Sequence, residues 1–183
     1  MTVHTPQIPN RFWQASPRAY AFSTAAFTPA ASATDIFTLS GAADRVVRLI
    51  RLVLSGTQTT AGNVTHVSIV KRSAANTTGT AVATTITALD SMSAAATATA
   101  QHYTANPGAL GTGVTIWQPR VLIAAPGTTT VPGVIFDLDF TYHVNSPPFG
   151  ILRSASEFLA ISLGGTTPSG AAEFQVSGII TED

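Results

Sequence analysis

Val134-Ile135-Phe136-Asp137-Leu138-Asp139-Phe140-Thr141-Tyr142 alternates along its length. Val134, Phe136, Leu138, Phe140 and Tyr142 point one way, and Ile135, Asp137, Asp139 and Thr141 the other. An antiparallel strand with one face on a core has this period-two pattern. Outward from it the same grammar repeats. Asn145 to Gly150 is a Pro-rich turn, and Phe158 to Leu163 is a strand with Leu159, Ile161 and Leu163 inward. Gly164 to Gly170 is another turn, after which Phe174, Val176 and Ile180 form the last inward face.

Toward the N-terminus, short apolar runs alternate with Gly, Ser, Thr and Asn clusters, the signature of an all-β chain. Asp35 to Leu39 is the first run. Arg45 to Leu54 fits a helical stripe through Val46, Leu49, Ile50 and Val53, but its Val and Ile content and the bracketing Gly41 and Gly56 favour a strand. The segment from Ser55-Gly56-Thr57 to Gly62-Asn63 would join it as a hairpin to Val64 to Lys71. Ala81 to Leu89 reads as a weaker strand. Ser91 to Thr104 is Ala-rich and reads as a short helix, closed by the turn Asn106-Pro107-Gly108. Gly113 to Gln118 and Arg120 to Ala124 are strands interrupted at Pro119. Eight or nine strands so spaced predict an antiparallel β-sandwich of jelly-roll type over residues 34–183.

Residues 1–33 read differently. Prolines at Pro6, Pro9, Pro17 and Pro29 break any ladder, and Phe12, Trp13, Tyr20, Phe22 and Phe27 are scattered between them. An extended N-terminal arm is the expectation, with these five aromatics as partner-binding anchors, because aromatic side chains dominate interface energetics. The arm could equally fold back over its own domain.

Composition narrows the function. Charged residues are 10% of the chain, against about 25% in an average domain. Nine basic residues balance nine acidic ones, which argues against nucleic acid as a partner, since phosphate binding draws on surplus Lys and Arg. The absence of cysteine removes disulfides and thiolate chemistry. No apolar run reaches the length of a membrane span, and Met1 to Trp13 lacks the apolar centre of a secretory signal. No nucleophile elbow, phosphate loop or zincin motif is present. His4, His66, His102 and His143 are dispersed. Asp137 and Asp139, about 7 Å apart on one strand face, could hold a calcium ion or act as a glycosidase pair. A surface pair neutralised by an arginine such as Arg120 or Arg153 is the simpler expectation. Neither an enzyme, a cofactor nor a metal is expected.

Ile36-Phe37-Thr38-Leu39-Ser40-Gly41, then Val46 to Gly56, Val70-Lys71-Arg72-Ser73, Ala94 to Ala105 with Tyr103-Thr104-Ala105-Asn106-Pro107, and Leu159-Ala160-Ile161-Ser162-Leu163 form a familiar combination. Together they resemble small β-sandwich virion proteins of tailed bacteriophages, over about residues 35–183. The resemblance transfers no catalytic residue. It implies a virion role: head decoration or cementing, a head fibre base, or part of the tail or baseplate. The partners it implies are other copies of the chain, with a trimer as the expected closed ring, and the major capsid or other virion proteins. The alternative is a receptor- or glycan-binding module using the loops Arg72 to Thr80 and Pro126 to Gly133.

Overall fold

The computed structural model describes residues 17–58, 64–122, 133–140, 150–166 and 172–183, and all regular structure among them is strand. In chain order the strands are β1 (Arg18–Ser23), β2 (Ala33–Ser40), β3 (Val47–Gln58), β4 (Val64–His66), β5 (Ser68–Arg72), β6 (Thr80–Thr84) and β7 (Ile86–Ala88). They continue as β8 (Ala100–Ala105), β9 (Gly113–Trp117), β10 (Arg120–Leu122), β11 (Gly133–Asp139), β12 (Ile151–Leu152), β13 (Phe158–Thr166) and β14 (Ala172–Glu182). A first sheet has the order β11–β3–β14–β1–β7, with β12 also paired to β3. A second has the order β6–β8–β2–β13–β5–β9, and β4 and β10 form a separate pair. Every pairing is antiparallel.

The two large sheets form an all-β sandwich around one apolar cluster. Leu49, Leu52, Leu54, Phe174, Val176 and Ile180 enter it from the first sheet, and Phe37, Leu39, Ile69, Leu159, Ile161 and Leu163 from the second. Phe22 of β1 stacks on Phe37 of β2 with ring centroids 5.4 Å apart. Gly178 lies opposite Phe22 in the ladder. A Cβ there would come within 2.5 Å of the Phe22 ring, so the ring occupies space that only glycine leaves open.

The inward faces expected for β13 and β14 are observed, and Arg45 to Leu54 is strand from Val47 onward. Other expectations are corrected. The arm boundary at residue 33 does not hold: β1 pairs with both β14 and β7, and Phe27 bridges to Phe174. Tyr20, Phe22 and Phe27 are buried in the chain's own core, because their apolar area is removed from water by this chain's sheets. They cannot serve as anchors for a neighbour while the sandwich is intact. Phe12 and Trp13 lie outside the described residues.

The expected hairpin between Arg45–Leu54 and Val64–Lys71 does not form. β3 pairs with β14 and β11, while β5 lies in the other sheet beside β13 and β9. The expected strand Ala81–Leu89 is split at Thr85, with β6 in the second sheet and β7 in the first. The Ala-rich segment is not helical. Its C-terminal part is β8, and residues 89–99 are pinned elsewhere. Leu89 N–H donates to Ala19, Tyr20 Oη donates to Ala94 (3.1 Å), and Ser40 shares hydrogen bonds with Thr99. The buried Glu182 carboxylate accepts from Thr97 N–H (2.8 Å), Thr97 Oγ1 (3.0 Å) and Ala98 N–H (2.8 Å). Those backbone donors are committed to tertiary acceptors, which outweighs helix propensity. In β11 a register shift between Val134 and Phe136 turns Val134 outward while Phe136 stays buried.

Truncation tests the revised boundary. Removing residues 1–16 leaves every described contact in place and is expected to preserve cooperative urea unfolding. Removing residues 1–33 deletes β1 with Tyr20, Phe22 and Phe27, and is expected to abolish it. A folded 34–183 fragment would refute the assignment of β1 to the core.

His102 gives a second test. It is buried on β8 under the Phe27 ring, centroids 4.5 Å apart, and desolvation holds its pKa below the ordinary value. As pH falls through about 6.5 the unfolded chain takes up the proton first. Stability is therefore full above that pH and declines below it. The stability gap between the wild type and His102→Gln is expected to narrow from pH 7.5 to pH 5; parallel curves would contradict this.

Candidate interaction surface

From Ser73 to Pro119 the only Asp, Glu, Lys or Arg is Asp90. This near-neutral block builds β6, β7, β8 and β9, and so both edges of the second sheet and one edge of the first. Six large apolar side chains are exposed among the described residues, and the block holds five: Val82, Leu89, Met92, Leu110 and Val114. Val134 is the sixth. Edge strands of free-standing sheets usually carry charges, prolines or bulges that block pairing with other chains. Neither β6 (TAVAT) nor β9 (GVTIW) contains a charge or a proline, and the one irregularity within β9 is a bulge at Ile116 against β5.

The two sides of the sandwich differ. On one side β6 presents Val82, and the segment that follows β7 exposes Leu89 and Met92. On the other, β9 and β11, each an outer strand among the described residues, part to leave a cleft of about 230 Å³, lined by Ile69, Ile116, Trp117, Leu138, Asp139 and Phe140. Trp117 meets Phe136 edge to face, centroids 5.5 Å apart. The cleft is the open mouth of the core.

A buried polar network keeps the loops flanking these edges in place. Arg72 forks onto Asp35, Nε to Oδ2 and Nη2 to Oδ1, both at 2.6 Å, and Arg72 Nη1 donates to the Gly111 carbonyl at 2.7 Å. Asn76 Nδ2 donates to Asp35 Oδ2 (2.8 Å), while Asn76 Oδ1 accepts from Gly111 N–H (3.1 Å). Asn106 Oδ1 accepts from Thr34 N–H, and its Nδ2 donates to the Ser32 carbonyl. Thr77 and Ala109 complete the join with a β-bridge. The expected glycan loop Arg72 to Thr80 is thus tied down by Arg72 and Asn76. Of the other, Pro126 to Gly133, only Gly133 lies within the described residues.

The carboxylates singled out from the sequence are part of a surface ion cluster. Arg51 of β3 forks onto Asp137, Nε to Oδ1 at 2.9 Å and Nη2 to Oδ2 at 2.5 Å. The partner is Arg51 rather than Arg120 or Arg153. This hydrogen bond and charge hold the Asp137 carboxyl below the usual carboxylate range and raise the Arg51 guanidinium, which also feels Asp139. Among the described residues no cluster of three His, Asp or Glu side chains is placed to hold a metal. His66 lies on β4 and His102 in the core; His4 and His143 fall outside the described residues.

The sequence carried a signal for this surface in the spacing of its charges: Arg72, Asp90 and Arg120 are the only ones across the second sheet's edges and their connections. Compared with known protein families, curated proteins and solved structures, the chain matches none.

Breaking the network tests its role. Asp35→Ala leaves the Arg72 guanidinium buried without its partner and is expected to cost about 3–5 kcal/mol, measured by urea unfolding. The double variant Asp35→Leu/Arg72→Met, which buries no charge, is expected to recover most of the loss. Equal losses in both would assign the cost to packing.

Proposed function

We propose that the chain is a structural subunit of a tailed-bacteriophage particle, most simply a capsid decoration or cement protein that adheres to its neighbours through sandwich edges. The observation that carries this reading is the near-neutral block between Arg72 and Arg120, which builds β6 and β9 as charge-free edges with no further strand partner among the described residues and holds five exposed apolar side chains in these strands and their connections. Edges of this kind are tolerated where other protein covers them. Its partners are other copies of itself, in a closed ring such as a trimer, and the major capsid or another virion protein.

The strand order supports the jelly-roll form of the sandwich. Taking β1, β2, β3, β5, β9, β11, β13 and β14 as eight core strands, the sheets run β1–β14–β3–β11 and β2–β13–β5–β9. In a jelly roll the first strand lies beside the eighth, the eighth beside the third and the third beside the sixth. The second lies beside the seventh, the seventh beside the fourth and the fourth beside the fifth. β6, β7 and β8 are then an insertion between the fourth and fifth strands that widens both sheets on one side. Jelly rolls are common in viral capsids but also occur in lectins and cupins, so the fold adds weight without deciding function. Phe12 and Trp13, outside the described residues, stay as the candidate partner-binding anchors.

A receptor- or glycan-binding module is the second reading, favoured by Trp117 and Phe140 beside Asp139 in the cleft. Mass spectrometry of gradient-purified particles from cells carrying the gene is expected to find the chain in many copies. An antibody to it is expected to label the particles at regular positions. Particles free of the chain would overturn the structural reading, and sugar binding on a glycan array that is lost in Trp117→Ala would support the second.

A further inference from the structure

The two edges of the second sheet match each other. β6 and β9 each have five residues and no charge. In a six-stranded antiparallel sheet the outer strands run in opposite directions, so β6 of one molecule set beside β9 of another continues the alternation. The first sheet lacks this property. Its path β11–β3–β14–β1–β7 has five strands, so its outer strands run the same way, and β7 has only three residues. One sheet is therefore suited to extension from copy to copy and the other is not.

Resting on the adhesive reading above, we infer that β6 of one copy pairs antiparallel with β9 of a second copy, so that the second sheet runs on across the boundary. The contact is heterologous: two different surfaces meet, and repetition closes a ring or grows a fibre according to the rotation between copies. Strand addition to a free edge is an established recognition mode, in which main-chain hydrogen bonds supply affinity. Five paired residues are few for a stable interface, which buries roughly 1,200–2,000 Å² in all. Leu89 and Met92 beside β7, and the cleft holding Trp117 and Phe140 beside β9, lie on the two approaching flanks and supply the remaining apolar area. The absence of Lys, Arg, Asp and Glu from both strands removes the like-charge cost of bringing identical chains together.

The test uses the full chain, Val82→Lys on β6 and Val114→Lys on β9. Both side chains are exposed, 42% and 70%, so each variant is expected to keep wild-type thermal unfolding. In size-exclusion chromatography with light scattering the wild type is expected to associate, and each variant alone to associate at least about tenfold more weakly. Mixing the variants is expected to restore a dimer and nothing larger, because Val114→Lys retains an intact β6 and Val82→Lys an intact β9. Loss of association in only one variant would replace this contact with a symmetric edge, and unchanged association in both would place the interface elsewhere; either overturns the inference. Hydrogen exchange gives a readout independent of the variants. Amides of residues 80–84 and 113–117 are expected to gain protection together as concentration rises, and protection that ignores concentration would overturn the inference. A chain found in particles yet monomeric at every concentration would sink this contact while leaving the adhesive reading standing.

Discussion

The pairing of β1 with β14 is the constraint on which the rest of the sandwich depends. Six residues from Arg18 to Ser23 lie in register against Glu182 to Ser177. β14 is paired on its other side along β3 from Gln58 to Val47. This central ladder places Tyr20, Phe22, Phe174, Val176 and Ile180 on the face that meets Phe37 and Ile161. Without β1, β14 would become an edge, β7 would lose its partner and the Phe22–Phe37 stack would vanish. The core is therefore assembled from segments far apart in sequence, the kind of topology that folds slowly because loop closure precedes any reward from contacts.

Charge is distributed unevenly over this frame. The few ionic groups are used where backbone must be held. Asp35 and Arg72 secure the loops leaving β5 and β8, and Glu182 holds the segment that leads into β8. Arg51 and Asp137 tie β3 to β11 at the surface, with modest energetic value because solvent screens them. The edges of the second sheet carry none. A chain with few charges has fixed its irregular segments in place while keeping charge out of the outer strands of its second sheet, and the proposed adhesive role rests on that contrast.

The strands were legible where one face was apolar and the other polar. Phe174, Val176 and Ile180 read directly, and so did β3, where Val and Ile content outweighed a helical stripe. The failures have physical causes. Proline spacing hid β1, because Pro17 and Pro29 flank a short strand rather than interrupt it, and burial of Tyr20 and Phe22 was invisible without the partner strand. Alanine propensity suggested a helix at 91–104, whereas Glu182, far away in sequence, takes the backbone donors of Thr97 and Ala98. A hairpin was expected between β3 and its successor because proximity in sequence suggests pairing, but the chain passes from one sheet to the other. Of the candidate surface, the sparsity of guarding charges was readable; the placement of both neutral edges on one sheet required the topology.

The ladder joining β1 to β14 also has a consequence in time. Its partners are separated by more than 150 positions in the chain. At a ribosomal speed of about 5–20 residues per second, Tyr20 and Phe22 emerge roughly 8–30 s before the strand that will cover them. Through that interval two greasy rings and a bare strand are on offer to any passing chain, including a nascent copy from the same message.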